Sequence, residues 1–98
     1  MITEHALLEV EPGREADFME AMERAKSIIA ASPGFISLRV ERGIERPGCF
    51  LLLVHWETLE DHTEGFRGAP AYQEWRALLH HFYDPFPVVE HFRTVTLA

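Results

Sequence analysis

The sequence predicts an α+β domain in the order strand, helix, strand, strand, helix, strand, with an antiparallel sheet that carries both helices on one face. Three observations predict it. Alternating or continuous apolar runs mark strands at residues 2–11, 35–42, 49–57 and 88–97. Two intervening segments repeat their apolar residues every three or four positions, as amphipathic helices do. The punctuation between segments is short, at Pro12-Gly13, Pro33-Gly34, Pro47-Gly48 and then Pro85 and Pro87. No linker or repeat interrupts the pattern, so residues 1–98 are read as one domain.

In the first strand Ala6, Leu8 and Val10 alternate with His5, Leu7 and Glu9, apolar on one side and mixed on the other. Residues 14–32 then bring Phe18, Ala21, Met22, Ala25, Ile28 and Ile29 onto one helical stripe, while Arg14, Glu15, Glu20 and Arg24 fall outside it. Alternation returns over Phe35–Arg42, with Ile36, Leu38 and Val40 opposed to Ser37, Arg39 and Glu41, and a hairpin at residues 45–48 leads into the third strand. There Phe50-Leu51-Leu52-Leu53-Val54 is apolar at both parities and needs cover on both faces of the sheet. Two helices cover one face only. Each Leu left in water forgoes roughly 1.5–3 kcal/mol of burial, so a second subunit is expected over the other face, giving a homodimer through the sheet face.

Thr58 is placed to cap a short helix that ends between Gly65 and Gly68. Pro70 suits the first turn of a further helix, on which Ala71, Trp75, Leu78, Leu79 and Phe82 share a face. The stretch Asp84-Pro85-Phe86-Pro87 breaks the helix, and the β-branched residues that follow close the sheet.

Composition narrows the function classes. Sixteen acidic residues against nine Lys and Arg give a formal net charge of −7, which repels a phosphate backbone and argues against nucleic acid as a partner. The longest apolar run, Phe50 to Val54, is far short of the roughly 20 residues of a membrane span. Neither a signal peptide nor an anchor is read, and no membrane partner is expected. Cys49 is the sole cysteine, which rules out an intramolecular disulfide and suits a reducing cytoplasm; its ordinary role is a small residue opening a strand. Six histidines show no metal-ligand spacing: His80 and His81 diverge by about 100° on a helix, and His5, His55 and His91 lie on three strands. No metal is expected, and neither a phosphate loop nor a serine elbow is present.

What remains is one side of a cavity. Trp56 ends the third strand, His62 sits on the short helix, and Tyr72 and Arg76 lie one turn apart on the next. An aromatic wall, a titratable ring, a phenol and a cation suit a planar acidic aromatic ligand, whose enolate or phenolate form Arg76 would favour. The competing reading makes Trp56 a core anchor and Arg76 a solvated helix residue pairing with Glu64 or Glu74.

The stretch FLLLVHWETLEDHTEGFRGAPAYQEWR, from Phe50 to Arg76, resembles the antibiotic biosynthesis monooxygenase superfamily, whose pattern runs strand, Trp-Glu-Ser/Thr, short helix, Ser-Pro or Ala-Pro, aromatic helix. Pro12-Gly13 and Pro33-Gly34-Phe35 fit the same pattern. The resemblance implies ferredoxin-like subunits whose sheets pack face to face as a dimeric α+β barrel, each with a pocket between sheet and helices. It also implies oxygenation of phenols or quinols by molecular oxygen with no metal or flavin cofactor. Trp56 and Arg76 stand where that branch has its pocket Trp and Arg, and His62 stands where it has a Tyr. Leu52 replaces an Asn of the third strand, and the apolar Val54 stands where many relatives place Glu.

On that resemblance the expected function is a cofactor-independent monooxygenase acting on a small aromatic molecule. His62 would be the base, Arg76 would stabilise the oxyanion, Tyr72 would orient the ring, and Trp56, with Leu52 and Val54, would bind it. The alternative is a non-catalytic dimer that holds a small aromatic. A haem-degrading relative is the third option; in that branch Ala6 replaces an Asn, Arg76 occupies the place of the axial His, and His80 lies one turn away.

Overall fold

In the computed structural model residues 1–97 are described, and their elements follow the predicted order. They are β1 (Ile2–Glu9), α1 (Glu15–Ala30), β2 (Phe35–Arg42), β3 (Cys49–Trp56), a π-helical turn (Asp61–Phe66), α2 (Pro70–Leu79), a 3-10 turn (His80–Phe82) and β4 (Val89–Arg93). The four strands form one antiparallel sheet in the order β2-β3-β1-β4. This is the ferredoxin-like arrangement.

Register explains which side chains meet the helices. Ile2, Glu4, Ala6 and Leu8 of β1 pair with Trp56, Val54, Leu52 and Phe50 of β3, and all eight are buried. They join Phe18, Ala21, Met22, Ala25 and Ile29 of α1 and Trp75 and Leu79 of α2 in a single core. Phe18 is its centre, with ring centroids 4.8 Å from Phe50, 5.9 Å from Phe82 and 6.4 Å from Tyr83. Both helices therefore lie on one face of the sheet.

The opposite face carries Leu7, Leu51, Leu53 and Phe92, with Leu7 and Phe92 exposed and the two leucines of β3 half-buried. The double apolar parity of β3 thus has its physical origin in one face packed on helices and one left open. His5 and His55 also point to this open side, His5 edge-on to Phe92 at 5.4 Å and His55 2.9 Å from the Ser37 hydroxyl.

Three boundaries differ from the sequence reading. The first strand ends at Glu9, after which Val10 makes only an isolated bridge to Tyr83. The last strand ends at Arg93 rather than at residue 97, because Arg93 already pairs with Ile2 and β1 has no further strand residue to offer. The short helix is π-wound, as the Arg67 amide bonding to the His62 carbonyl at 3.2 Å shows. Its entry is capped as expected. The Asp61 amide donates to the Thr58 hydroxyl and the Thr58 amide to the Asp61 carboxylate, both at 3.1 Å, a reciprocal capping box. Gly34, at φ +84°, lies against that carboxylate; no other residue takes this left-handed turn without strain, and a Cβ there would strike Asp61.

Candidate functional site

A cavity of about 370 Å³ opens between the sheet and the helices, floored by Ala6, Leu8 and Leu52 and walled by Ile29, Phe66, Trp75 and Val89. Such a lining excludes water and accepts an aromatic ring. Its polar groups are few: Glu4, His62, Arg67, Tyr72, His80 and Tyr83.

Glu4 is the residue that sequence reasoning missed. It sits at an inward position of β1, 5% exposed, between Ile2 and Ala6. The Trp56 indole N–H donates to its Oε1 at 2.9 Å, and His62 Nε2 lies 3.3 Å from the same oxygen. Across the sheet Glu4 pairs in register with His91 of β4, whose Nε2 is 2.8 Å from His62 Nδ1. The π-helical turn lays the His62 ring over Trp56, with centroids 5.4 Å apart and planes 20° from parallel. Strand register and one wide helical turn therefore assemble four residues, from three strands and a helix, into a linked set.

Electrostatics fixes the direction of that chain. Burial pushes the Glu4 carboxyl above its ordinary range, against the opposing effects of the Trp56 hydrogen bond and the Arg67 charge. Burial pushes His62 down to about 3, with Arg67 and His91 adding to the shift, so its ring is neutral near pH 7. A neutral His62 that donates from Nε2 to Glu4 must accept at Nδ1, and His91 then donates from its Nε2. All the N–H groups point toward Glu4. Oε1 takes both contacts, which leaves Oε2 for a ligand, and a buried carboxylate of raised basicity beside an apolar cavity is a candidate general base. Burial also drives the Tyr83 phenol well above its ordinary value, so it remains a neutral donor.

The residues singled out from the sequence divide. His62, Tyr72 and Leu52 line the cavity. Trp56 is fully buried behind His62, and Val54 is fully buried in the core; neither is on the cavity wall. Arg76 is exposed on α2: it follows Trp75, and the 100° step that turns Trp75 into the core turns Arg76 to solvent. The cation at the cavity is instead Arg67, which follows the π-helical turn and whose charge acts on Glu4, His62 and His91. Among the described residues no three His, Cys, Asp or Glu side chains are grouped to hold a metal ion, and no helix is long and apolar enough to cross a membrane.

The family model described as antibiotic biosynthesis monooxygenase matches residues 1–78. The chain belongs to this family. Among members of the antibiotic biosynthesis monooxygenase family and their relatives, the chain is 52% identical over 95 residues to the uncharacterized protein YczJ of Bacillus subtilis (strain 168), covering 97% of this chain and 100% of that one. A Bordetella bronchiseptica protein, provisionally assigned as an antibiotic biosynthesis monooxygenase, superposes with a TM-score of 0.93 at 36% identity over 97% of both chains. SnoaB of Streptomyces nogalater, a cofactor-independent oxygenase, shares the fold with a TM-score of 0.80 at 17% identity, over 98% of this chain and 94% of its own.

Proposed function

We propose that this antibiotic biosynthesis monooxygenase family chain is a cofactor-independent monooxygenase that oxidises a phenolic or quinol-type small aromatic molecule with molecular oxygen. The observation that carries the reading is the Trp56–Glu4–His62–His91 set at the wall of an apolar cavity. Glu4 Oε2 removes a proton from the bound phenol or from an activated ring carbon, and the dry cavity makes the resulting anion electron-rich enough to reduce oxygen. For a ring CH₂ the balance closes without an external reductant: one oxygen atom becomes the new carbonyl, the other leaves as water, and the substrate supplies all four electrons. His62 and His91 hold the carboxylate and return protons to it, Tyr72 orients the ring, and Arg67 supports the anion in the part that the sequence had suggested for Arg76. Trp56 acts through Glu4 and His62 rather than on the ring itself. SnoaB supports the reaction type, as a fold relative that works without a cofactor.

The exposed apolar face of Leu7, Leu51, Leu53 and Phe92 supports a homodimer through the sheet, and the free, buried Cys49 suits a reducing cytoplasm. Oxygen-electrode traces on a quinol panel test the function. Glu4→Gln should lower uptake at least 100-fold, as loss of a general base does, while preserving ligand binding. Equal uptake by both proteins would sink the assignment. Leu52 favours a second reading, a dimer that binds an aromatic without converting it, since its side chain offers the cavity floor no hydrogen bond. Thermal stabilisation by a ligand with no oxygen uptake would select that reading.

A further inference from the structure

The cavity has a second polar end that the Glu4 set does not use. His80 stands at the C-terminus of α2, where its ring meets Phe86 at 5.1 Å, Tyr83 at 5.7 Å and Tyr72 at 6.1 Å. Its Nδ1 is shut off from solvent and has no hydrogen-bond partner. Its Nε2 is not shut off in this way, and the ring lines the cavity. An occluded lone pair is the less costly vacancy, because orphaned buried N–H groups are rarer than under-satisfied acceptors. The proton of the neutral ring therefore resides on Nε2, the atom open to the cavity.

We propose that His80 is a specificity-determining hydrogen-bond donor, whose Nε2–H reads an acceptor oxygen, a carbonyl or ring oxyanion, on the aromatic ligand. The inference rests on the cavity being the ligand site and narrows the ligand class to aromatics that carry an acceptor oxygen in addition to the acidic group at Glu4. Burial and the neighbouring Arg76 charge both keep the ring uncharged, so it donates as a neutral group. A neutral donor stabilises a carbonyl and a phenolate alike without neutralising the charge on which electron transfer to oxygen depends.

Two measurements test this. Nitrogen-15 NMR of the histidine rings in the whole protein at pH 7 should show His80 as the neutral Nε2–H tautomer; an Nδ1–H ring or an imidazolium would overturn the proposal. Calorimetry should then compare 2-hydroxy-1,4-naphthoquinone, which has a hydroxyl and carbonyls, with 2-naphthol, which has the hydroxyl alone. His80→Leu should reduce the quinone-to-naphthol affinity ratio about tenfold, the value of one good hydrogen bond, with 2-naphthol binding changed less than about twofold. His80→Gln, which retains an N–H, should keep most of the ratio. An unchanged ratio in His80→Leu, or a wild type that binds neither probe, would overturn it. If the ratio behaves as expected but no quinol consumes oxygen, the monooxygenase reading fails and the donor assignment stands.

Discussion

Acidification should reveal how firmly the fold holds His62 uncharged. Its folded value of about 3 lies below the ordinary 6.5, so between the two the unfolded chain binds a proton that the folded chain refuses. The stabilisation is complete above about pH 6.5 and is lost progressively as the pH falls toward 3. Glu4 masks the effect in the wild type, because its raised value lets the folded chain take up a proton over part of the same range. Glu4→Gln removes the mask, and its carboxamide oxygen still accepts from Trp56 Nε1. One proton over the two units from 6.5 to 4.5, at about 1.36 kcal/mol per unit, amounts to about 3 kcal/mol. The comparison is Glu4→Gln/His62→Phe, whose phenyl ring keeps the stack on Trp56; all other titrating groups are common to both chains. Urea denaturation at pH 8 and 4.5 should move the Glu4→Gln midpoint down by roughly 1–3 M more than that of the double variant. Parallel shifts in the two chains would refute the claim that burial keeps His62 neutral.

Phe18→Ala should cost about 3–5 kcal/mol in denaturant stability, since the ring is fully buried against Phe50, Phe82 and Tyr83 and these cannot close the gap together. Thr58→Ala should cost about 1 kcal/mol by the same assay, and Thr58→Ala/Asp61→Ala less than the sum of the single changes, because the two side chains form one reciprocal cap. Leu7→Asp on the open sheet face should leave the fold intact by circular dichroism but shift light scattering from dimer to monomer; a wild-type monomer would remove the proposed sheet-to-sheet assembly.

The strands and helices were legible because each has a clean apolar period, and β3 announced an uncovered face by being apolar at both parities. The site was only half legible. Glu4 shares its parity with Ile2, Ala6 and Leu8, so one acidic residue in an inward row was the available signal; attention to the row beginning at Ala6 passed over it. His91 was visible as a strand histidine, but its meeting with His62, 29 residues earlier in the chain, depends on β4 lying beside β1, which local spacing does not encode. Arg67 and Arg76 exchanged prominence for a different reason. A helical count from Tyr72 aligns Arg76 with the cavity, whereas the wide turn at Asp61–Phe66 delivers the residue just past it.

That wide turn also sets a rule for how the family's loop can vary. A π-helical turn accommodates one more residue than an ordinary turn, so deleting Gly65 would let the segment relax to α-helical winding. Phe66 and everything after it would then rotate by about 100° relative to His62, parting the imidazole from its aromatic neighbour and carrying Arg67 off the cavity mouth. The catalytic constellation is thus tied to an odd residue count rather than to any one side chain, and a single-codon deletion in an otherwise tolerant surface loop would silence it while the barrel of helices and strands stayed whole.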